Sequence, residues 1–201
     1  MMSVFAFLSL VTTDGNTVAI KNDIVNWIGN GKIAGIYVVI WITVILAALM
    51  VWIQKKTKFG YDVFALGGSQ AVASVSGINV VKTSIIVYAL NGLFAALAGV
   101  LIACMTNSGS PAVGVDYTFN AMAAIVIGGT PFIGGKGGIG GTILGALLMK
   151  ILASGLSLVG IPATWQKAIT GFVIVALIII DVVNDHRKNI KAQRRVYNNV
   201  G

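Results

Sequence analysis

The sequence predicts an all-α integral membrane protein with about five transmembrane helices plus a partial one at its N-terminus. Three observations carry this reading. Apolar residues make up 57% of the 201 positions and give a mean hydropathy of +0.91, well above the norm for soluble domains. Charged residues amount to only 10%. The apolar residues fall in long uncharged runs, with the basic residues clustered in the gaps between them.

The same composition narrows the function. A net charge of +8 could suggest nucleic acid, but a soluble basic patch would not be broken up by spans, so anionic lipid headgroups are the counterpart and no nucleic-acid partner is expected. The six acidic residues are all aspartates, alongside one histidine and one cysteine. That leaves little for acid/base chemistry and nothing for an intrachain disulfide or a cysteine-rich metal site.

Met1 to Val11 is apolar but lacks the basic start and small-x-small cleavage site of a signal peptide. As helix it rises about 16 Å, roughly half of the ~30 Å hydrocarbon core. It therefore reads as half of a span. Ile36 to Ile53 is the first full span, uncharged for 18 residues, with Tyr37 and Trp41 toward one end and Trp52 at the other as aromatic belts. Gln54 to Thr83 turns polar and small, and reads as a loop with a short helix started by Ser69 and stopped by Gly77.

Ser84 to Met105 is the second full span, followed by a turn-rich connection, Asn107 to Asp116, with Gly109, Pro111 and Gly114. Phe119 to Gly134 is apolar for 16 residues, about 24 Å of helix, which requires tilting, a break or local accommodation. Gly138 to Val159 and Gln166 to Ile180 complete the series. Residues 1–183 thus form the transmembrane domain, and 184–201 a basic tail.

If the tail is cytoplasmic and all five segments cross, ten of the 14 lysines and arginines fall on the cytoplasmic side. Lys21, Lys32 and Lys167 fall outside, and Lys150 lies within a span. The positive-inside rule favours this orientation. Parity agrees: without a crossing at Phe119 to Gly134 the basic tail would end outside.

Gly135-Lys136-Gly137-Gly138-Ile139-Gly140 fits G-x-G-x-x-G, but no acidic residue lies between Asp116 and Asp181 to take a ribose hydroxyl. A phosphate loop fails too, because Thr130 stands six positions before Lys136 and Gly137 follows it. A packing reading fits better. Gly137, Gly141 and Gly145 recur every four residues, and bare positions let another backbone approach. Gly92 with Ala96 and Ala95 with Gly99 repeat the device.

Lys150 is about 18 Å into its span, with Ser154 and Ser157 at i+4 and i+7 on its face. A charge there costs roughly 2.5–3.5 kcal/mol on insertion scales. Either the face lines the bundle interior or a wet cavity, or the lysine snorkels to an interface. His186 lies in the tail and Cys104 has no histidine on its own span, so no catalytic constellation, metal site or cofactor site is expected. The lack of a mid-membrane carboxylate weighs against a proton-coupled carrier.

Thr57-Lys58-Phe59-Gly60, Phe64-Ala65-Leu66-Gly67-Gly68, Ser76-Gly77-Ile78, Ala124-Ile125-Val126-Ile127-Gly128-Gly129-Thr130, Gly134-Gly135, Gly137, Gly140-Gly141-Thr142 and Gly145-Ala146 resemble the sugar permeases of ATP-binding-cassette importers, in the ribose, xylose and galactose branch. The similarity runs from about Ser3 to Asp181. It implies that the loop holding Gly67, Gly68, Ala73, Ser76, Gly77 and Ile78 is a cytoplasmic coupling helix that engages a separate ATPase subunit. It also implies a dimer of permease chains, an extracytoplasmic sugar-binding protein and a bacterial-type cell membrane location. ATP hydrolysis would belong to the partner, so the chain itself is not expected to be an enzyme. Together with the polar residues of the spans, it places Asn120, Gly128, Gly129, Thr130, Lys150 and Ser154 as candidates for the translocation path or gate.

Three departures stand out, the first being Lys150, which the family pattern does not lead one to expect. Members often carry an acidic residue and an arginine where Ala71 and Ser74 stand, and acidic residues where Thr118 and Asn120 stand. The family's permeases are longer at the N-terminus by several spans, so the chain is expected to be the C-terminal part of such a subunit. The competing readings are an ion- or proton-coupled transporter or channel, and a non-transporting remnant.

Overall fold

The computed structural model describes residues 2–111, 113–131, 134–162, 164–173, 175, 176 and 179. The tail at 184–201 and the end of the last apolar segment lie outside them. The chain divides into two units, Met1–Asp116 and Tyr117–Gly201.

In the first unit the half-span is helix α1, Met2–Thr13. A short strand β1, Val18–Ala19, leads to helix α2, Asp23–Asn30, capped by the Asn22 side chain accepting from the amide of Ile24. Strands β2, Lys32–Ile33, and β3, Ile36–Tyr37, form a two-residue hairpin. The spans follow as α3, Val38–Lys56, and α6, Val80–Thr106. Between them lie α4, Lys58–Gly68, and α5, Gln70–Val75. Strand β4, Ser108–Gly109, pairs antiparallel with β1.

One expectation is corrected here: the connection from Gln54 to Thr83 is two helices rather than a loop with one. The segment between α1 and α3 contains α2 and strands that reach both forward to β3 and across to β4. The α4 helix forms despite its three glycines because Thr57 caps it, accepting from the Gly60 amide at 3.2 Å. A side chain at position 60 would collide with the carbonyls of Ile53 and Gln54, so only a glycine lets the chain fold back so closely on α3.

Helix α2 packs on α3 and α6 at one end of the unit, and α4 and α5 pack on α3 and α6 at the other. The buried residues follow this division. Gly29, Val38 and Cys104 are buried around α2, and Gly60, Ala73 and Thr83 around α4 and α5. The middles of α3 and α6 are left bare of protein, as expected of surfaces meant for lipid or for further helices.

Helix α7, Val115–Ile127, starts at the unit boundary; in the second unit it packs with α8, Ile139–Leu158, and residues 164–173 are again helical. The segment expected at Phe119 to Gly134 is corrected to a helix that begins earlier and stops at Ile127. Its 13 residues span about 20 Å, shorter than the hydrocarbon core. The stop is a Schellman turn: the Thr130 amide donates to the Ile125 carbonyl and the Gly129 amide to that of Val126. Gly129 sits at φ +82°, a left-handed conformation that a side chain would strain.

Among the described residues three helices, α3, α6 and α8, are long and apolar enough to cross a membrane, and the apolar stretches Ser3–Thr13 and Tyr117–Ile127 are shorter. The fold is that of an all-α membrane protein.

Candidate functional site

The residues singled out from the sequence form three groups, one in the first unit and two in the second. The first is the α4–α5 corner. Gly67 and Gly68 are not in a loop but close the last turn of α4. Ser69, with extended backbone, ends α4 and begins α5, its hydroxyl accepting from the Val72 amide at 3.4 Å. At the far end the Ile78 amide donates to the Ala73 carbonyl and the Gly77 amide to that of Ser74, with Gly77 at φ +79°. This is the helix start and stop that Ser69 and Gly77 predict.

Ala73 is only 1% exposed, because it faces the fold where α5 meets α4 and α6. Its side chain is turned into the corner. Every other residue of α5 is exposed, and the large apolar side chains among them are Val72 and Val75, 65% and 89% exposed. Neither was singled out, because a six-residue helix has too few turns for its faces to be read by periodicity. Lys55, Lys56, Lys58 and Lys82 lie exposed around this corner, which makes it the basic end of the first unit.

The second place is the contact of α7 with α8. A side chain at Gly141 would strike the carbonyl of Gly128, and one at Gly145 the carbonyl of Ala124. Ala123 and Ala124 are buried beside them. Two helices meet here backbone to backbone, the geometry that small residues four apart permit. Gly137 is corrected: it precedes α8, at φ +125°, and a side chain there would strike that of Thr130. The four-residue spacing continues past the helix start by coincidence of sequence, and the helical face consists of Gly141 and Gly145 alone. An apolar hollow of about 180 Å³ beside this contact is lined by Met122, Ile125, Val126, Thr130 and Pro131.

The third place is the outer face of α8. Taking 100° per residue from Gly145, Lys150, Ser154 and Ser157 lie about 140°, 180° and 120° around the helix. All three are exposed, so the polar stripe is turned away from α7. Asn120 is also exposed, but it lies near the side of α7 that faces α8, and the fold does not gather it with Lys150. Gly92 and Gly99 have nothing within 4 Å that a side chain would meet. Among the described residues no cluster of three or more metal-ligating side chains occurs.

A family described as the permease component of a branched-chain amino acid transport system matches residues 1–178. The chain belongs to this permease family. Among its curated relatives are a ribose import permease of Escherichia coli strain K12, 38% identical over 185 residues, which cover 90% of this chain and 58% of the relative. A probable ABC transporter permease of the same strain is 37% identical, with 87% and 52% covered. A xylose transport system permease of Haemophilus influenzae is 37% identical, with 75% and 40% covered. The chain thus spans a little over half the length of the first two. No solved structure matches it. The resemblance read from the glycine blocks is therefore shown, and these blocks coincide with the α4–α5 corner and the α7–α8 contact of the permease.

Proposed function

We propose that residues 1–201 belong to the membrane-spanning subunit of an ATP-binding-cassette importer that carries a monosaccharide of the ribose, xylose or galactose kind. The subunit acts as a dimer with itself or a homologue. An ATPase subunit binds on the cytoplasmic side and a sugar-binding protein on the other, with the basic tail cytoplasmic. The observation that carries the reading is the α4–α5 corner. A short helix packs on α4 and α6 with its alanine buried and holds two bare valines outward, at the end of the spans ringed by lysines.

A rigid corner of this kind converts motion of a docked partner into motion of the spans. The partner biases an equilibrium between inward- and outward-open packings through its different contacts with each. The α7–α8 contact supports the reading, since backbone-to-backbone helix pairs move as one body. Asn120, Gly128, Gly129 and Thr130, and the stripe from Lys150 to Ser157, are the candidates for the path. Uptake of labelled ribose, xylose and galactose by proteoliposomes holding the permease, its ATPase and its binding protein tests the function. Uptake driven by an ion gradient and indifferent to ATP would favour the secondary-transporter reading instead.

A further inference from the structure

We propose that α2 is a membrane-interface anchor, lying in the headgroup layer with Ile24 and Trp27 inserted at the boundary with the acyl chains. Helix α2 has two apolar faces where an ordinary surface helix has one. Gly29 and Val25 face the protein, and a side chain at Gly29 would strike the Cys104 carbonyl of α6. Ile24 and Trp27, three residues apart and so neighbours on the helix surface, lie on the opposite side. They are 68% and 56% exposed. Asp23, Asn26 and Asn30 make the polar flank, where Asn26 accepts from the side chains of Asn30 at 3.1 Å and Asn107 at 3.4 Å.

The depth of the helix identifies what covers the second face. Cys104 stands 24 residues after Val80, about 36 Å along α6, whose 27 residues span about 40 Å. A hydrocarbon core of ~30 Å centred on that helix would end about 35 Å along it. Contact with Cys104 therefore places α2 at the edge of the core, where an amphipathic helix partitions by inserting its apolar side.

The neighbours match that level. Tyr37 and Trp41, at the start of α3, are exposed, and the Trp41 indole N–H donates to the Ile33 carbonyl at 3.5 Å. With Trp27 they form one aromatic girdle, the side chains enriched at membrane interfaces. Lys21 and Lys32 flank α2, and the Lys32 ammonium lies 5.0 Å over the Tyr37 ring, placing cations where lipid phosphates would be. The occupant of the Ile24–Trp27 face is accordingly lipid, and the exposed face of α2 continues the lipid-facing surface of α3.

The test uses the permease in vesicles of phosphatidylcholine and phosphatidylglycerol, with every other tryptophan of the permease, Trp41, Trp52 and Trp165 among them, replaced by Phe so that Trp27 alone fluoresces. Bromine placed shallow on the acyl chains is expected to quench Trp27 more than bromine placed deep, and aqueous iodide to quench it little. A second form, Ile24→Cys with Cys104→Ala carrying a spin label, keeps the tryptophans and should report relaxation by oxygen over that by a water-soluble nickel complex. Strong iodide quenching without lipid quenching would place α2 in water and overturn the proposal. Shielding from both quenchers would overturn it in favour of a second permease copy or the binding protein on this face.

Discussion

The backbones of Gly128 and Gly141 touch: the carbonyl of Gly128 occupies the space that a side chain on Gly141 would need. One turn further along α8, Gly145 stands in the same relation to Ala124. No flexible side chain is available to yield at either point, so the pair of helices tolerates nothing larger than hydrogen there.

Gly145→Ala is therefore expected to separate α7 from α8 and destabilise the permease by the ~1–3 kcal/mol typical of overpacking. Gly155→Ala is the control, since Gly155 lies in the same helix with nothing within 4 Å. It should be neutral or stabilising by about 0.5–1 kcal/mol from helix propensity. Thermal unfolding in detergent distinguishes the two; equal midpoints would show that the contact carries no energy.

A second expectation separates two valines from their neighbour. Val75→Asp and Val72→Asp leave the fold intact but weaken ATPase docking, by the roughly 5- to 30-fold that 1–2 kcal/mol at an interface represents. Ala73→Asp instead buries a charge without a partner and lowers the amount of folded permease. ATPase stimulation, compared with the yield of monodisperse protein, reads both effects. Full coupling in Val75→Asp would remove α5 from the docking surface.

The face from Lys150 to Ser157 is expected to be wet. With Cys104 replaced by alanine, Ser154→Cys should react with a membrane-impermeant thiol reagent in at least one nucleotide state of the transporter. Complete protection in every state would assign the face to lipid or to dry packing.

Orientation is tested with reporters. A phosphatase active only outside the cytoplasm, fused after Gly201, should be silent, and the same enzyme inserted in the Ser110–Gly114 turn should be active. The reverse pattern would invert the topology that the lysines and arginines favour.

What the sequence made legible was what long uncharged runs and single capping residues encode. The spans α3, α6 and α8 follow from hydropathy, and the ends of α5 from Ser69 and Gly77. Helices α2 and α4 were not legible, since eight residues ending in Gly-Asn and eleven containing three glycines carry little propensity and form on tertiary contacts at Gly29 and Gly60. The burial of Ala73 was equally hidden, because it depends on how α4 turns the chain. Gly137 misled because spacing says nothing about φ. A positive φ at that position ends the helical register, however regular the glycines.

The central claim is that the permease moves sugar when a partner hydrolyses ATP. Its most direct measurement is labelled sugar uptake into proteoliposomes containing the protein that carries residues 1–201, its ATPase on the side of the α4–α5 corner and its binding protein on the other. The account predicts uptake of a pentose or hexose that requires ATP hydrolysis, stops with a non-hydrolysable analogue, and falls with Val75→Asp while protein amount is unchanged. Sugar entry that proceeds equally without ATP, or that follows an imposed ion gradient, would contradict it.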